Sequence, residues 1–394
     1  MNDRNTQMVG ANALRSRNHN RQMVLGHIRQ SGQMGRAEIA RLSGLSTQAV
    51  SNIISDLQGE GWLKECGRRS VGRGQPPIQY RIDPEGGYAL GIEVRPDAVF
   101  AALLDLEGRE VFSDRAALAS SNPASVRAQV LTLCETAWAA PRVTRDKVLG
   151  AGVVLPGPFG TGASARAGSE LQDWQGIEPT EWFSDLLDLP VEVENDANAA
   201  AISEGLTGVA TGLDTYAFIY FGAGLGLGLI SEGQRLSGGY GNAGEVGRIP
   251  VQTAQGPLAL EQAVSRLSVQ RHLVKAGLKV GGIEDIDAIF QARHPALMAW
   301  LDRAASPLSQ AVAMIENLFD PQTIVLGGAM PDPVLDHLIG QVTFHPDSVA
   351  DRPRRARPRP RLMRGGSGRM TATLGGAALV LKQAFTPRMT VVHS

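Results

Sequence analysis

The sequence predicts an α/β protein that carries a helix-turn-helix unit near its N-terminal end. Two observations favour α/β layers: strand-like apolar runs alternate with helix-like segments from Tyr88 onward, and glycine-rich turns follow several of those runs. A third observation is the segment 31–62, in which two short helical patterns flank a tight turn. A chain of 394 residues has room for two or three domains.

The N-terminal unit is expected to begin with a helix from about 20 to 30. The polar residues 1–17 before it are expected to be disordered. The next helix is predicted over 36–43 because Gly44 can adopt the left-handed conformation that ends a helix. Ser46 is a suitable N-cap for the helix that follows.

The helix after Ser46 has two different faces. Val50, Ile53, Ile54 and Leu57 follow the spacing i, i+3, i+4, i+7, which makes one apolar stripe. Short hydrogen-bonding side chains occupy the first two turns of the other face, where a recognition helix meets base edges in the major groove. The candidate DNA contacts of this unit are Arg36, Ser46, Thr47, Gln48, Ser51 and Asn52.

Residues 63–83 predict two short strands around a tip rich in glycine and arginine, the wing of a winged helix-turn-helix over residues 18–83. Arginines at such a tip can reach phosphates or a minor groove. They could instead be solvated hairpin arginines, but the recognition helix beside them favours DNA contact. The candidate DNA contacts of the wing are Arg68, Arg69, Arg73 and Gln75.

Charge is distributed unevenly along the chain. Residues 1–82 carry 12 Lys and Arg against 5 Asp and Glu, whereas the remainder carries 26 against 34, which favours phosphate contact by the N-terminal part. Cys66 and Cys134 are too few for a disulfide framework. The sequence has no signal-peptide pattern and no run of about 18 apolar residues. We therefore expect a cytoplasmic protein that does not enter a membrane.

The remainder of the chain predicts alternating strands and helices. The basic, proline-rich run 351–364 is expected to be a solvated surface loop rather than a nucleic-acid patch, because its proline spacing prevents a helix. The predicted strands are 88–95, 98–106, 148–155, 190–195, 216–221 and 323–328, and the predicted helical segments are 123–140, 180–187, 196–206, 259–318 and 370–384.

Three motifs in this part are more specific than the alternation itself. They are VEVENDANAAAISE (191–204), GAGLGLGLISEGQRLSGGYGNAGEVGRIPV (222–251) and IVLGGAM (324–330). With these motifs the chain resembles the ROK family, which includes sugar kinases and sugar-responsive transcriptional repressors. The winged helix followed by GRGQPP (72–77) resembles the repressor branch of that family.

The resemblance implies a body with an actin-like ATPase fold, related to ribonuclease H, over residues 88–385. Lobe one would comprise about 88–196 and the C-terminal helix 370–385, and lobe two about 197–369. A ligand cleft would lie between the lobes. A fold does not by itself give an activity, so each site has to be judged by its chemistry.

The nucleotide site implied by the resemblance is altered. Kinases of the family have D-x-G-G-T at a strand turn that holds ATP phosphates, whereas this chain has Glu93-Val-Arg-Pro-Asp97. Pro96 removes a backbone donor, Arg95 adds bulk, and Asp97 places negative charge near the phosphates. The second glycine loop, 222–228, has Ala223 in place of the usual threonine. We therefore expect no kinase activity and no cofactor.

The resemblance also implies an effector site. Asn195 and Asp196 match the family's Asn-Asp pair, in which the kinase aspartate is a general base. In a repressor the same carboxylate can accept a hydrogen bond from a sugar hydroxyl, and it can also stabilise the start of the following helix. Carboxylates and amides supply the acceptors that a polyol needs. The candidate effector contacts are Gly157, Asn195, Asp196, Glu245, Arg248 and Glu261.

Zinc is not expected. Family members commonly bind it through a histidine after G-E-x-G and three nearby cysteines, but this chain has Arg248 at the histidine position and no Cys or His shortly downstream. Arg248 could pair with Glu245 or Glu261 and replace the metal as a brace, which we favour. Alternatively, Arg248 binds a carboxylate or phosphate of the effector.

The predicted function is therefore a sugar-responsive transcriptional regulator, most simply a repressor of carbohydrate genes. A homodimer, or a tetramer, would bind a pseudo-palindromic operator. One alternative is a sugar kinase with an accessory DNA-binding head. Another is a regulator that responds to a protein partner and to no sugar.

Overall fold

The computed structural model describes residues 3–68, 77–157, 171, 173–351 and 359–386, with residues 3–15 and 68 described by their backbone only. The N-terminal part is a winged helix-turn-helix, as predicted, and is called the head below. Its three strands form an antiparallel sheet in the order β1-β3-β2. The head contains α1 (Asp3–Ser31), β1 (Met34–Gly35), α2 (Arg36–Ser43), α3 (Thr47–Gly59), β2 (Leu63–Arg68) and β3 (Ile78–Ile82).

Two features of the head correct the sequence prediction. Helix α1 begins at Asp3, so residues 3–17 are helical, although they were expected to be disordered. The segment contains no proline and one glycine, so the helix has no strong breaker there. Strand β1 was not predicted, because a two-residue strand is too short to show an alternating pattern.

The body has two lobes, each built on a five-stranded sheet. The first sheet has the order β6-β5-β4-β7-β8 and belongs to lobe one. Lobe one contains β4 (Tyr88–Arg95), β5 (Ala98–Asp105), β6 (Glu110–Ala117), α4 (Pro123–Trp138), β7 (Val148–Leu155), α5 (Pro179–Leu187) and β8 (Val191–Asn195), and α12 (Thr371–Phe385) packs against its sheet.

The second sheet has the order β11-β10-β9-β14-β15 and belongs to lobe two. Lobe two contains α6 (Asp196–Leu206), β9 (Tyr216–Phe221), β10 (Leu225–Ser231), β11 (Gln234–Arg235), β12 (Pro250–Thr253), β13 (Gly256–Ala259), α7 (Leu260–Ala263), α8 (Arg266–Lys275), α9 (Ile283–Gln291), α10 (Pro295–Phe319), β14 (Ile324–Gly328), α11 (Asp332–Gln341) and β15 (Leu362–Arg364).

The two sheets have the same topology. In each, the first three strands along the chain form an antiparallel meander and two later strands extend the sheet in parallel. Parallel extension requires crossovers, which are provided by helical segments such as α4 and α10. This repeated sheet confirms the predicted α/β body with an actin-like, two-lobed fold.

Glycines explain how closely the helices approach these sheets. A Cβ at Gly152 of β7 would lie 1.9 Å from the carbonyl oxygen of Gly376 in α12. A Cβ at Gly375 would lie 1.9 Å from the carbonyl oxygen of Ala199 in α6. Helix α12 therefore packs tightly against both the first sheet and α6, at the base of the cleft.

Two body segments differ from their predicted state. Only Gly222–Gly224 of the expected glycine loop form a turn, since Leu225–Ser231 is strand β10. Gly226 and Gly228 serve packing, because Cβ atoms there would lie within 2.8 Å of Ala197. Within the expected loop 351–364, residues 362–364 form edge strand β15, which pairs with β14.

One apolar core connects the head to the body. Its buried members include Leu25 and Ile28 of α1, Leu106 of lobe one and Phe385 of α12. Separate clusters fill the remaining parts of lobe one and lobe two. Among the described residues, no helix is both long enough and apolar enough to span a bilayer.

Candidate functional site

The exposed face of α3 carries the predicted recognition residues. The Ser46 hydroxyl caps the helix by accepting a hydrogen bond from the backbone N–H of Ala49 at 3.2 Å, as predicted. Thr47, Gln48 and Asn52 are exposed, and Ser51 is half-buried. The Gln48 amide donates to Asn52 Oδ1 at 3.0 Å, which holds the two side chains along one edge of the helix. Val50, Ile54 and Leu57 are fully buried on the opposite face.

The remaining predicted DNA contacts lie near the wing. Arg36 is exposed and its guanidinium lies 5.1 Å from the centre of the Tyr80 ring in β3. The backbone of Arg68 lies at the end of β2. Arg69, Arg73 and Gln75 fall outside the described residues.

The turn between β4 and β5 faces the cleft between the lobes. Antiparallel pairing of Arg95 with Ala98 leaves Pro96 and Asp97 at the turn, as predicted. Arg95 is largely buried and forms a two-point ion pair with Glu93, at 2.6 and 3.0 Å. Its guanidinium also lies 4.3 Å from the centre of the Phe100 ring.

Arg95 and Glu93 connect lobe one with other parts of the cleft. Arg95 donates to the backbone carbonyl of Arg369 at 2.7 Å, and Glu93 accepts hydrogen bonds from Tyr220 at 3.2 Å and Thr373 at 2.7 Å. Burial opposes the charge of Arg95, but the neighbouring Glu93 carboxylate prevails and raises the pKa of Arg95 above its ordinary value. The guanidinium is therefore a fixed cation in this part of the cleft.

Little space remains beside that cation. A cavity of about 30 Å³ lies between the lobes, enough for one or two water molecules. Its lining includes Glu93, Arg95, Asp196, Gly222 and Arg266. The cavity therefore brings the altered β4–β5 turn, the predicted effector carboxylate and the glycine turn together.

Asn195 and Asp196 lie at the junction of β8 and α6. Asn195 Oδ1 accepts from the backbone N–H of Asn198 at 2.8 Å and so caps α6. Asp196 is the first residue of that helix, and its Oδ1 accepts from the N–H of Ala197 at 2.8 Å. Gly157 lies beside Asn195, since a Cβ built on it would be 3.5 Å from the Asn195 Cβ. The predicted helix-start role of Asp196 agrees with this geometry.

Two of the predicted effector carboxylates lie close to the glycine turn. A Cβ at Gly222 would lie 3.2 Å from Oδ2 of Asp196, and one at Gly224 would lie 2.7 Å from Oε2 of Glu261. Glu261 is in the first turn of α7. Larger residues in the turn would therefore crowd both carboxylates, which explains why glycine is suited to these positions.

Arg248 pairs with Glu245, one of the two acids proposed for it. The Arg248 Nε lies 3.2 Å from Glu245 Oε2, and both side chains are substantially exposed. The pair lies in the short turn before β12, three residues apart. Among the described residues, no group of three or more His, Cys, Asp or Glu side chains is arranged to hold a metal ion.

Two residues that line the cleft, Glu93 and Arg266, were not predicted as site residues from the sequence. Glu93 could have been suspected, because a single carboxylate within the apolar strand YALGIEVR needs a buried partner. Arg266, at the start of α8, carried no comparable signal. It lines the same cavity as Asp196, and its buried Nε has no hydrogen-bond partner.

The structure therefore combines a two-lobed, actin-like body with a winged helix-turn-helix head. Residues 89–383 match the family described as the ROK family. The match covers well over half of the sequence, and the chain therefore belongs to the ROK family.

Individual relatives include both regulators and kinases. The xylose repressor of Caldicellulosiruptor bescii is 26% identical over 329 residues, which cover 78% of this chain and 82% of that protein. A ROK family transcriptional regulator, a homolog of the E. coli MLC protein, has a similar crystal structure with a TM-score of 0.72 at 22% identity. That similarity covers 94% of this chain and 97% of the regulator.

A ROK family glucokinase from Streptomyces griseus, solved with glucose and AMPPNP, has a TM-score of 0.60 at 22% identity. It covers 74% of this chain and 99% of the kinase. The structural similarity to the regulator therefore extends over most of the head, whereas the similarity to the kinase leaves about a quarter of this chain unmatched. At these identities the similarity to solved structures establishes the fold alone.

Proposed function

We propose that this protein is a sugar-responsive transcriptional repressor. The observation that carries the proposal is a winged helix-turn-helix whose α3 presents Gln48 and Asn52 to solvent, joined to a ROK body. Side chains on the first turns of such a helix can contact base edges in the major groove. The name of the xylose repressor relative agrees with this assignment.

The effector is proposed to bind beside the glycine turn. Asp196 and Glu261 both lie close to this turn, and carboxylate oxygens accept hydrogen bonds from sugar hydroxyls. Asn195 and Gly157 form the neighbouring wall, and the Glu245–Arg248 pair lies on the segment that follows β10. A ligand here would change the protein only by binding two lobe arrangements with unequal affinity.

Kinase activity is disfavoured by the side chains at the β4–β5 turn. Arg95 is held there by Glu93 and by the Arg369 carbonyl, and Pro96 offers no backbone N–H. A phosphate-binding turn needs small residues and free donors close to the ligand. The alternative of a kinase with a DNA-binding head requires this network to rearrange.

Operator recognition is proposed to use a homodimer, because a two-fold protein matches a two-fold DNA site. Effector binding would then change the separation of the two heads. The same argument applies to a tetramer that presents heads in pairs.

The first test is selection of DNA from a random library by the full-length protein, followed by mobility-shift titration of the selected duplex. Gln48→Ala with Asn52→Ala should weaken specific binding about 10- to 100-fold, because a good base contact contributes roughly 1–3 kcal/mol. Gln291→Ala is the matched control, since it removes a comparable i, i+4 hydrogen bond from an exposed helix of the body.

The second test repeats the titration with sugars and with Asp196→Asn. Release of DNA by a sugar, lost in the variant, supports the repressor. Operator binding that no sugar changes would support a regulator controlled by a protein partner. Phosphorylation of a sugar by ATP, abolished in Asp196→Asn, would instead establish the kinase.

A further inference from the structure

Arg266 is the first residue of α8 and lies beside the glycine turn. Its backbone N–H donates to the Gly222 carbonyl at 3.3 Å, and the next N–H, of Leu267, donates to the Ala223 carbonyl at 3.3 Å. These bonds fix the start of α8 against the turn. The Arg266 side chain then lines the same cavity as Asp196.

Among the described residues, Arg266 differs from the neighbouring arginines because no ion pair or side-chain hydrogen bond holds its half-buried side chain. Its Nε is buried without a hydrogen bond, and within the described ranges no carboxylate forms an ion pair with it. By contrast, Arg95 is held by Glu93, and Arg248 is paired with Glu245. A buried, unpaired donor is unfavourable unless a ligand or water satisfies it, so this group marks a place for an acceptor.

The surroundings of Arg266 favour an anionic acceptor. A second cavity on its other side is lined by Arg95, Arg115, Arg266 and Arg369, with two acids, Asp97 and Glu284. The Glu284 carboxylate already forms two ion pairs, since its Oε1 lies 2.6 Å from Arg369 Nη1 and 3.9 Å from Arg115 Nη1. With Arg95 paired to Glu93 and Arg369 paired to Glu284, Arg115 and Arg266 face one further carboxylate, Asp97, which leaves a net positive charge around this cavity.

We infer that Arg266 binds the anionic group of the effector, so that the ligand is a phosphorylated or carboxylated sugar rather than a neutral one. This inference rests on the proposed function, because it uses Asp196 and Glu261 as acceptors for the ligand's hydroxyls. Arginine binds phosphate and carboxylate oxygens through two parallel N–H donors. The effector anion is therefore assigned to Arg266 and not to Arg248, which is paired with Glu245.

Binding of an anionic group at Arg266 requires a conformational change. The cavity of about 30 Å³ holds no more than one or two water molecules. An anionic group must therefore move Arg266 or widen the cleft. A ligand that fits only a wider cleft stabilises that arrangement of the lobes, as regulation of the head would require.

The test is calorimetric titration of the full-length protein with matched ligands. Xylose, glucose and N-acetylglucosamine are each compared with their phosphate ester and with a sugar acid, and inorganic phosphate is tested alone. We expect one anionic derivative to bind at least about 30-fold more tightly than its parent sugar, because charge-assisted hydrogen bonds are the stronger ones. The phosphate and acid members of the set distinguish the two sources of negative charge.

Variants separate the contribution of Arg266 from general charge. Arg266→Gln should bring the anionic ligand within about threefold of the neutral sugar, whereas Arg266→Lys should keep part of the preference. Arg364→Gln is the matched control, since it removes the same charge from an arginine that is paired with Asp332 and Asp336 and lines neither cleft cavity, and it should leave the preference intact. Thermal melts should show that Arg266→Gln is folded, because this side chain has no described polar partner to lose.

Three results would overturn the inference. They are a neutral sugar that binds as tightly as its anionic derivatives, an anion preference unchanged in Arg266→Gln, and an equal loss in Arg364→Gln. Failure of the proposed function looks different. In that case no sugar of any set binds, or Asp196→Asn leaves every affinity unchanged.

Discussion

The head meets the body mainly through apolar packing, with a hydrogen bond from the Gln22 side chain to the Gln383 carbonyl at 2.7 Å, whereas the walls of the cleft face each other with charged and polar groups. At the junction, the Phe385 ring lies 6.2 Å from that of Trp62 and 4.5 Å from the Arg29 guanidinium. In the cleft, Glu93 bonds to Tyr220 of lobe two, and Arg115 pairs with Glu284 at 3.9 Å.

This difference indicates which joint can respond to a ligand. Apolar contact is stabilised in proportion to the area removed from water, and it offers little for a small polar ligand to replace. Hydrogen bonds and ion pairs can be exchanged for those of a ligand at a small net cost. We therefore expect the head to keep its packing against α12 while the contacts across the cleft change.

Truncation at the junction should have the largest effect. Phe385 is 5% exposed and belongs to the core shared by head and body. Phe385→Ala should reduce the free energy of unfolding by about 4 kcal/mol, as buried aromatic truncations do. Urea unfolding measures the loss, and limited proteolysis should show that the head is released from the body.

Phe344→Ala is the control for that experiment. Phe344 also lies beneath an arginine, with Arg361 4.2 Å from its ring centre, but it is 36% exposed. We expect Phe344→Ala to reduce the free energy of unfolding by about 1 kcal/mol. Equal losses at the two phenylalanines would contradict the special role of the junction.

Breaking the cleft network should have the next largest effect. Glu93→Gln leaves the Arg95 guanidinium buried without its carboxylate partner. We therefore expect the free energy of unfolding to fall by about 3 kcal/mol. Adding Arg95→Met should recover part of the stability, because the unpaired charge is then gone. Chemical denaturation measures the difference in stability between the two variants. Glu245→Gln breaks an exposed ion pair, and its free energy of unfolding should change by no more than about 0.5 kcal/mol.

A smaller effect is expected within the head. Ser46→Ala removes the acceptor for the Ala49 N–H and should cost about 1 kcal/mol. Ser55→Ala, on the exposed surface of the same helix, should cost nothing because alanine is the better helix former. A cost at Ser55 equal to that at Ser46 would argue against the cap.

The smallest effect concerns pH at the edge of the cleft. A hydrogen bond from its own backbone N–H and one from Arg369 lower the pKa of Glu284. Because the folded-state pKa is the lower one, this stabilisation is present above the ordinary glutamate pKa and is lost as pH falls through the folded value. Glu284 is exposed, so the contribution should be less than about 1 kcal/mol.

The measurement for Glu284 is the melting temperature between pH 6 and pH 3, in the natural chain and in Glu284→Gln. The natural chain should lose slightly more stability on acidification than the variant. Parallel curves would mean that Glu284 contributes nothing measurable to lobe contact.

Local patterns predicted the elements well, because their information lies in neighbouring residues. The i, i+3, i+4, i+7 stripe of α3 and the apolar run of β7 need no knowledge of the fold. The predicted loop at 222–228 was wrong for most of its length because tertiary packing, not local sequence, explains its glycines. Gly226 and Gly228 are in a strand, where they admit Ala197 of α6, a contact that no local pattern records.

The candidate site was only partly predictable for the same reason. Asp196 and Glu261 were found through motifs, and their roles remain predictions. The partner of Arg95 is two residues away, but the pairing depends on burial between Phe100 and Tyr220. The buried Nε of Arg266 has no hydrogen-bond partner among the described residues. This property depends on the three-dimensional structure and could not be read from the sequence.

The shared core also limits how this protein can be recombined with others. A chimera cut in the turn between β3 and β4 would carry Trp62 and Ile28 into a foreign protein without Phe385 and Leu106. The transplanted head would then expose an apolar face to water. Exchange of DNA specificity should therefore be done by grafting the surface of α3 onto a complete chain, with α1 and the end of α12 left in place.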